Sequence, residues 1–230
     1  MEFDPSPIWL TLKLAVVSVA ILLALGTPLA WWLARTRSPL KVPVEAVVAL
    51  PLVLPPTVLG FYLLVLLGPL GPIGRFWVDI TGTTITFSFG GIVLATVLHS
   101  LPFVVQPLQV AFEAVGRAPL EAAATLRARP FDRFLTIACG LSSRGFITAA
   151  VLGFAHALGE FGVVLMVGGS IPGETKVLSI AIYEHVEAME LDTAYALAGG
   201  LLAFSFVVLL VVYALNRRFR MRTTQEDSAS

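Results

Sequence analysis

Long apolar runs alternate with short charged segments along this chain. A helix needs about 20 mostly apolar residues to cross a bilayer. Five runs meet that length: residues 8–34, 44–67, 89–115, 145–167 and 193–216. Lys13 lies near the start of the first, and nothing charged follows from residue 14 to residue 34. The fifth is uncharged throughout, and the fourth contains Glu160. The period-two alternation of barrel strands is missing, and the runs are too long for strands. The pattern predicts an all-α polytopic membrane protein with about five spanning helices.

Composition supports this reading. The 230 residues are 57% hydrophobic and 13% charged, where soluble domains carry about 25% charged residues. Mean hydropathy is +0.88. A net charge of zero gives no basic bias toward nucleic acid. The single cysteine, Cys139, excludes an internal disulfide and a thiolate metal site. The opening "MEFDPSPIWL" is acidic and lacks a positive leader region, so no cleaved signal peptide is expected.

Orientation follows from Lys and Arg. Arg35, Arg37 and Lys41 lie in the first connection, and Arg117, Arg127, Arg129, Arg133 and Arg144 in the third. Arg217, Arg218, Arg220 and Arg222 follow the fifth run. With five spans these segments share one side, which is then cytoplasmic. The N-terminus is expected outside and the C-terminus inside. Residues 1–222 read as one transmembrane domain and residues 223–230 as a polar, disordered cytoplasmic tail.

Four segments carry more than span length. In "ALPLVLPPTVLGF", Pro51, Pro55 and Pro56 each remove a backbone donor. Either a kinked packing helix or a broken helix lining a pathway fits, since lipid tolerates such breaks only where protein or water covers them. In "FAHALGEFGVV", His156 and Glu160 are four apart, on one helix face. An intramembrane carboxylate marks a functional hypothesis, and Gly159 and Gly162 permit close helix approach. Glu160 is open to two readings, a hydrogen-bonded packing group or a metal ligand. The pair lacks an evident third ligand other than His99 on another span. "IPGET", residues 171–175, has turn chemistry, and the "VLSIAIYEHV" after it predicts a short helix at the outer surface. That helix is either an interfacial connector or part of an external gate or docking surface.

The fourth segment is "PLEAAATLRARPFDRFLTI", residues 119–137. Pro119 suits a first helical position, and Glu121 in the first turn favours the helix dipole. Ala122, Ala123, Ala124 and Leu126 are strong helix formers. Pro130 marks a boundary after Arg129, and a second short helix is expected over residues 131–137. Leu120, Leu126, Phe131 and Phe134 are apolar groups that a merely solvated loop does not need, so the hairpin suggests a partner surface.

"LEAAATL" followed by "FDRFLTI" resembles the cytoplasmic EAA loop of ABC-importer permeases. "LPLVLPPTVLGF" and "LGEFGVVLMVGGSIPGETKVLSIAIY", in the same order and spacing, narrow the resemblance to molybdate, tungstate and sulfate permeases, with molybdate nearest. The resemblance implies the transmembrane domain of a type I ABC importer in the bacterial inner membrane. It implies a permease homodimer, two ATP-binding subunits docked on the loop at residues 116–144, and an external molybdate-binding protein. The docking residues would be Glu121, Ala122, Ala123, Leu126, Arg127, Phe131 and Phe134. Spans two to four would line a route between the two copies. Pro55, Pro56, Gly159, Glu160, Phe161 and Gly162 are its candidate path or gate residues, and Ile171, Pro172, Gly173, Glu174 and Thr175 form the external loop.

The chain departs from the family pattern in two places. Arg127 stands where the family has glycine, and Cys139–Gly140 where it has Leu-Pro. Arg127 is expected to let the first hairpin helix run on to Arg129, and loss of the proline to straighten the approach into the fourth span. The chain has no G-x-x-x-x-G-K-[ST] phosphate loop. ATP and Mg therefore belong to the partner, and no cofactor, metal or catalytic residue is assigned here. No Lys or Arg lies deep in a span, so no tight anion site is expected in the membrane. Arg75 and Lys176, in the external connections, either attract an anion, touch the binding protein or are simply solvated. The competing readings are a tungstate or sulfate permease, a membrane enzyme built on His99, His156 and Glu160, and a passive anion channel.

Overall fold

The computed structural model describes the backbone of residues 4–227 and the side chains of residues 4–211. The described residues fall into two compact units, the first ending at Ala181 and the second beginning at Ile182. They contain helices and no strands.

In the first unit, α1 (Ser6–Arg35) opens on an Asp4 carboxylate that accepts from the Ser6 amide at 2.9 Å and its hydroxyl at 2.8 Å. One face of α1 is buried through Leu10, Leu14, Leu22, Ala30 and Leu33, while Trp9, Val16 and Leu25 on the other face are exposed. An apolar side chain on the outside of a spanning helix faces lipid or a partner, not water. Then come α2 (Lys41–Val53), α3 (Pro56–Leu67) and the short α4 (Pro72–Thr81). At the centre lies α5 (Phe89–Val115), whose first turn is capped by Ser88 accepting from the Gly91 amide at 3.1 Å.

After α5 come α6 (Ala118–Thr125), α7 (Pro130–Asp132), a π-helical stretch (Arg133–Ala138) and α8 (Cys139–Leu141). Next are α9 (Ser143–Leu158), α10 (Gly162–Gly168) and α11 (Leu178–Glu187). α5 and α9 meet through small residues. A methyl at Gly145 would lie 2.2 Å from Ala111 Cβ, and one at Gly153 would lie 2.7 Å from Val104 Cγ2. Glycine lets the two backbones approach where apolar burial alone gives little drive.

The expected first, third and fifth spans correspond to α1, α5 and the start of α12 (Leu191–Asp227). The second is broken: α2 and α3 meet at 115°. Leu54 is forced into extended conformation (ψ 134°) by Pro55 behind it. The fourth differs from expectation too. It does not run unbroken over residues 145–167 but stops at Leu158 and resumes at Gly162. The bent pair apolar enough to span is Pro130–Leu141 with Ser143–Leu158, at 72°. The approach into α9 is thus bent, not straightened, despite the missing proline. Ser142, in a non-helical turn (φ −91°, ψ 10°), makes the bend.

The second hairpin helix also exceeds its expected span of residues 131–137. Helical backbone continues to Leu141 because nothing at Cys139–Gly140 breaks it. In the second unit α12 continues to Asp227, so helix covers residues 223–227, where the sequence predicts a disordered tail. Arg, Met, Gln and Glu are good helix formers and no proline interrupts them. Residues 228–230 lie outside the described residues.

Candidate functional site

The structure builds three linked features in the first unit. One is the charged hairpin. α6 buries Leu120 and Ala123 and exposes Glu121 and Ala122, and Leu126, just past its end, is exposed too. It ends at Thr125, so the expected run to Arg129 does not occur. The Arg127 amide donates to Ala124 O at 3.0 Å and the Ala128 amide to Ala123 O at 3.1 Å. This is a Schellman closure with Arg127 at the left-handed position, φ +60°. Arg129, held extended by Pro130 (ψ 152°), then turns the chain into α7. Arginine thus holds a left-handed position of the kind that glycine ordinarily takes.

The hairpin residues divide by direction. Phe131 and Leu126 are exposed at 67% and 83%. Phe134 instead packs inward, 5.2 Å from Trp31 and 6.1 Å from Phe112 between ring centroids. Phe112 is fully buried and also meets Trp31 and Phe146 edge-on. This aromatic cluster fastens the hairpin's second arm to α1, α5 and α9. Arg35 adds a hydrogen bond to Gly116 O at 2.8 Å, beside the start of α6. Cys139, half-buried, follows the π stretch and packs on the same core.

The second feature is the pair of helix breaks. Pro55 and Pro56 are exposed, and the Pro55 carbonyl accepts from the Val58 and Leu59 amides at 2.9 and 3.1 Å. Pro56 abuts Gly162, where a methyl would lie 3.0 Å from Pro56 Cβ. A methyl at Gly60 would lie 2.7 Å from Met166 Cβ, so α3 and α10 are in close contact. The two breaks are therefore neighbours, joining Pro55, Pro56, Gly159, Phe161 and Gly162 in one region. Sequence spacing gives no hint of that pairing.

Glu160 sits in the second break and is buried. Its Oε2 is 2.6 Å from His99 Nδ1 on α5 and 3.9 Å from His156 Nδ1 on α9. Its Oε1 accepts from the Val163 amide at 3.3 Å, capping α10. Its backbone carbonyl accepts from Ser179 Oγ at 2.6 Å. His156 Nδ1 is 2.9 Å from Ser100 Oγ, and its ring stacks on Phe103 at 4.0 Å. One ligand atom from each of His99, His156 and Glu160 lies within 4.8 Å of the others, as an ion would require. The closest contact is a direct hydrogen bond, and His156 already has Ser100. The arrangement is satisfied as a hydrogen-bonded cluster. His99 is the third member that sequence spacing alone leaves distant.

Thr175, fully buried, organises the loop at residues 171–175. Its hydroxyl donates to Gly168 O at 2.8 Å and accepts from the Ile171 amide at 3.0 Å. Ile171, Pro172, Gly173 and Glu174 are exposed, and Gly173 takes φ +77°. The Leu178 amide donates to Thr11 Oγ1 at 2.7 Å, binding the start of α11 to α1.

The third feature is a cleft of about 560 Å³ between α2, α5 and α9. Most of its lining is apolar, with Gln106, Arg144 and Thr148 as its polar side. Phe103 lines it as well, so the ring stacked on His156 separates the cleft from the buried cluster. Arg144, expected in a connection, lies in the first turn of α9, which carries it into this cleft.

A family model described as "Binding-protein-dependent transport system inner membrane component" matches residues 26–221. The molybdenum transport system permease protein ModB of Azotobacter vinelandii is 59% identical over 95% of this chain and 96% of its own. ModB of Escherichia coli K12 is 40% identical over 80% of this chain and 81% of its own. A sulfate transport system permease protein CysT of Synechocystis is 33% identical over 84% and 67%. Among solved structures, the inward-facing MetNI methionine ABC transporter aligns with TM-score 0.68 and 19% identity, over 92% of this chain and 94% of that one. A bacterial ABC transporter importing alginate aligns with TM-score 0.71 and 18% identity, over 94% and 78%. The fold is that of a type I ABC importer transmembrane domain. The chain belongs to the binding-protein-dependent transport family and is a multi-pass inner-membrane permease component of an ABC importer.

Proposed function

We propose that this permease carries molybdate across the inner membrane, driven by ATP hydrolysis on partner subunits. The observation that carries the substrate is the 59% identity, end to end, to a molybdenum permease. Two copies enclose the route, with the N-terminus outside and the C-terminus in the cytoplasm. That orientation rests on the basic segments sharing one side under five spans. ATP and Mg are held by the two partner ATPases, and an external binding protein delivers the anion.

The α6–α7 hairpin is the docking surface for the ATPase. Its exposed Leu126 and Phe131 suit a protein cleft, while inward-facing Phe134 and the Phe112 cluster transmit movement to α1, α5 and α9. The cleft between α2, α5 and α9 is one wall of the route. Its few polar groups fit weak contact with a passing dianion, and tight binding belongs to the external protein. Glu160 stays behind Phe103 and His156 and does not meet the substrate.

ATP-dependent uptake of labelled molybdate into proteoliposomes, with permease, ATPase and binding protein together, tests this reading. Uptake should need all three and be blocked by tungstate before sulfate. Uptake without ATP refutes an ATP-driven importer, and preferential uptake of sulfate selects the second reading, favoured by the 33% identity to a sulfate permease. Submicromolar molybdate binding by the permease alone would refute the weak-path mechanism.

A further inference from the structure

α4 joins two segments that are apolar enough to span. The bent pair α2–α3 ends before it at Leu67, and α5 begins after it at Phe89. The ten residues of α4 rise about 15 Å, half the depth of a bilayer core, so it does not cross. Ile73, Phe76, Trp77 and Ile80 recur at helical spacing on one stripe about 100° wide. All four are exposed, at 45%, 66%, 44% and 67%. Away from the stripe the helix changes character. Gly74 is buried on the end of α3, where a methyl would collide with the Leu67 and Gly68 carbonyls. Arg75 and Asp79, also exposed, are four apart on the remaining edge. The helix then runs into a polar turn, where Thr81 Oγ1 donates to Trp77 O at 2.8 Å and accepts from the Thr83 amide at 3.3 Å.

We propose that α4 is a membrane-interface helix whose Ile73, Phe76, Trp77 and Ile80 side chains are embedded at the boundary between lipid headgroups and acyl chains. Arg75 and Asp79 stay at the level of headgroups and water. A narrow apolar stripe holding Trp and Phe and edged by charge has the chemistry of a helix lying in that boundary. Its place in the chain agrees, because it fills the turn between two segments of spanning hydropathy. Exposed apolar residues also lead up to it, with Phe61, Tyr62 and Val65 on α3 and Leu70 97% exposed in the link. That continuity favours lipid over a local protein contact as the cover. Seated on the last carbonyls of α3 through Gly74, the helix holds that end of the broken span at the membrane surface. The inference needs only the membrane placement and is independent of which anion is carried.

The test is depth-dependent quenching in the full-length permease, purified into lipid nanodiscs. Ile73→Cys, Arg75→Cys, Phe76→Cys, Asp79→Cys and Ile80→Cys, each with Cys139→Ser, carry one environment-sensitive fluorophore apiece. A nitroxide near the top of the lipid acyl chain should quench labels at Ile73, Phe76 and Ile80 about threefold more than those at Arg75 and Asp79. Aqueous iodide should reverse that order by about the same factor. Equal iodide quenching at all five sites overturns the proposal, because the helix then stands in water. Protection of the Ile73, Phe76 and Ile80 sites from both quenchers also overturns it, and assigns the stripe to a second copy of the chain. If the cysteine variants do not assemble, Trp77 decides. The tryptophan emission that is lost in Trp77→Phe should fall about threefold when the lipids are brominated near the headgroup. Emission unchanged by brominated lipid overturns the proposal.

Discussion

Arg127→Gly should strengthen the hairpin. A non-glycine residue in left-handed conformation costs about 1–2 kcal/mol relative to right-handed geometry. Glycine removes that cost but loses about 0.5–1 kcal/mol through its freer unfolded chain. The balance is a gain of about 0.5–1 kcal/mol for the Schellman closure, or a factor of about two to five in its opening equilibrium. The amides to watch are those of Arg127 and Ala128, which bond to Ala124 O and Ala123 O. Hydrogen–deuterium exchange of residues 118–129 in the purified complex should slow by that factor in Arg127→Gly. Arg127→Ala separates backbone from charge: alanine keeps the strain, so its exchange should match wild type. Equal slowing in both variants would refute the backbone argument and assign the effect to the lost guanidinium.

Other outcomes follow from the same geometry. Glu121→Lys with Leu126→Asp should abolish co-purification of the ATPase while the permease remains folded; normal co-purification would remove the docking assignment. Gly60→Ala places a methyl 2.7 Å from Met166 Cβ and 3.1 Å from Val163 Cα. Overpacking of that kind costs about 1–3 kcal/mol, so the melting temperature should fall. Phe112→Ala empties the centre of the aromatic cluster at a cost of about 3–5 kcal/mol, and near-ultraviolet circular dichroism should register the loss around Trp31.

The sequence made some of this legible and hid the rest for definable reasons. Apolar run length located α1, α5 and α12, because spanning a bilayer is a strong one-dimensional constraint. Pro119, Glu121 and Pro130 located the hairpin. Pro55 and Pro56 announced a disturbance but not its 115° size, which depends on what packs around it. The second break was harder to see. Gly159 and Gly162 are equally consistent with close helix packing, and only the partner 61 residues away in sequence, His99, explains why Glu160 sits there. At Arg127 residue type misled. A left-handed position is usually announced by glycine, and here closure by neighbouring backbone hydrogen bonds, with Pro130 beyond, imposes it on an arginine. Thr175 looked like one turn residue among five, and its burial comes entirely from tertiary contact.

The lone cysteine has a practical consequence. Cys139 lies just past the π-helical stretch, on the arm that joins the hairpin to α9. The natural protein is therefore already a single-thiol protein, labelled in one place without any engineering. A spin label or fluorophore attached there would report on this arm alone as the transporter turns over. Because the thiol is half-buried, its rate of reaction is itself a gauge: slow labelling means the arm is seated against the aromatic cluster, and faster labelling during ATP turnover would time its release.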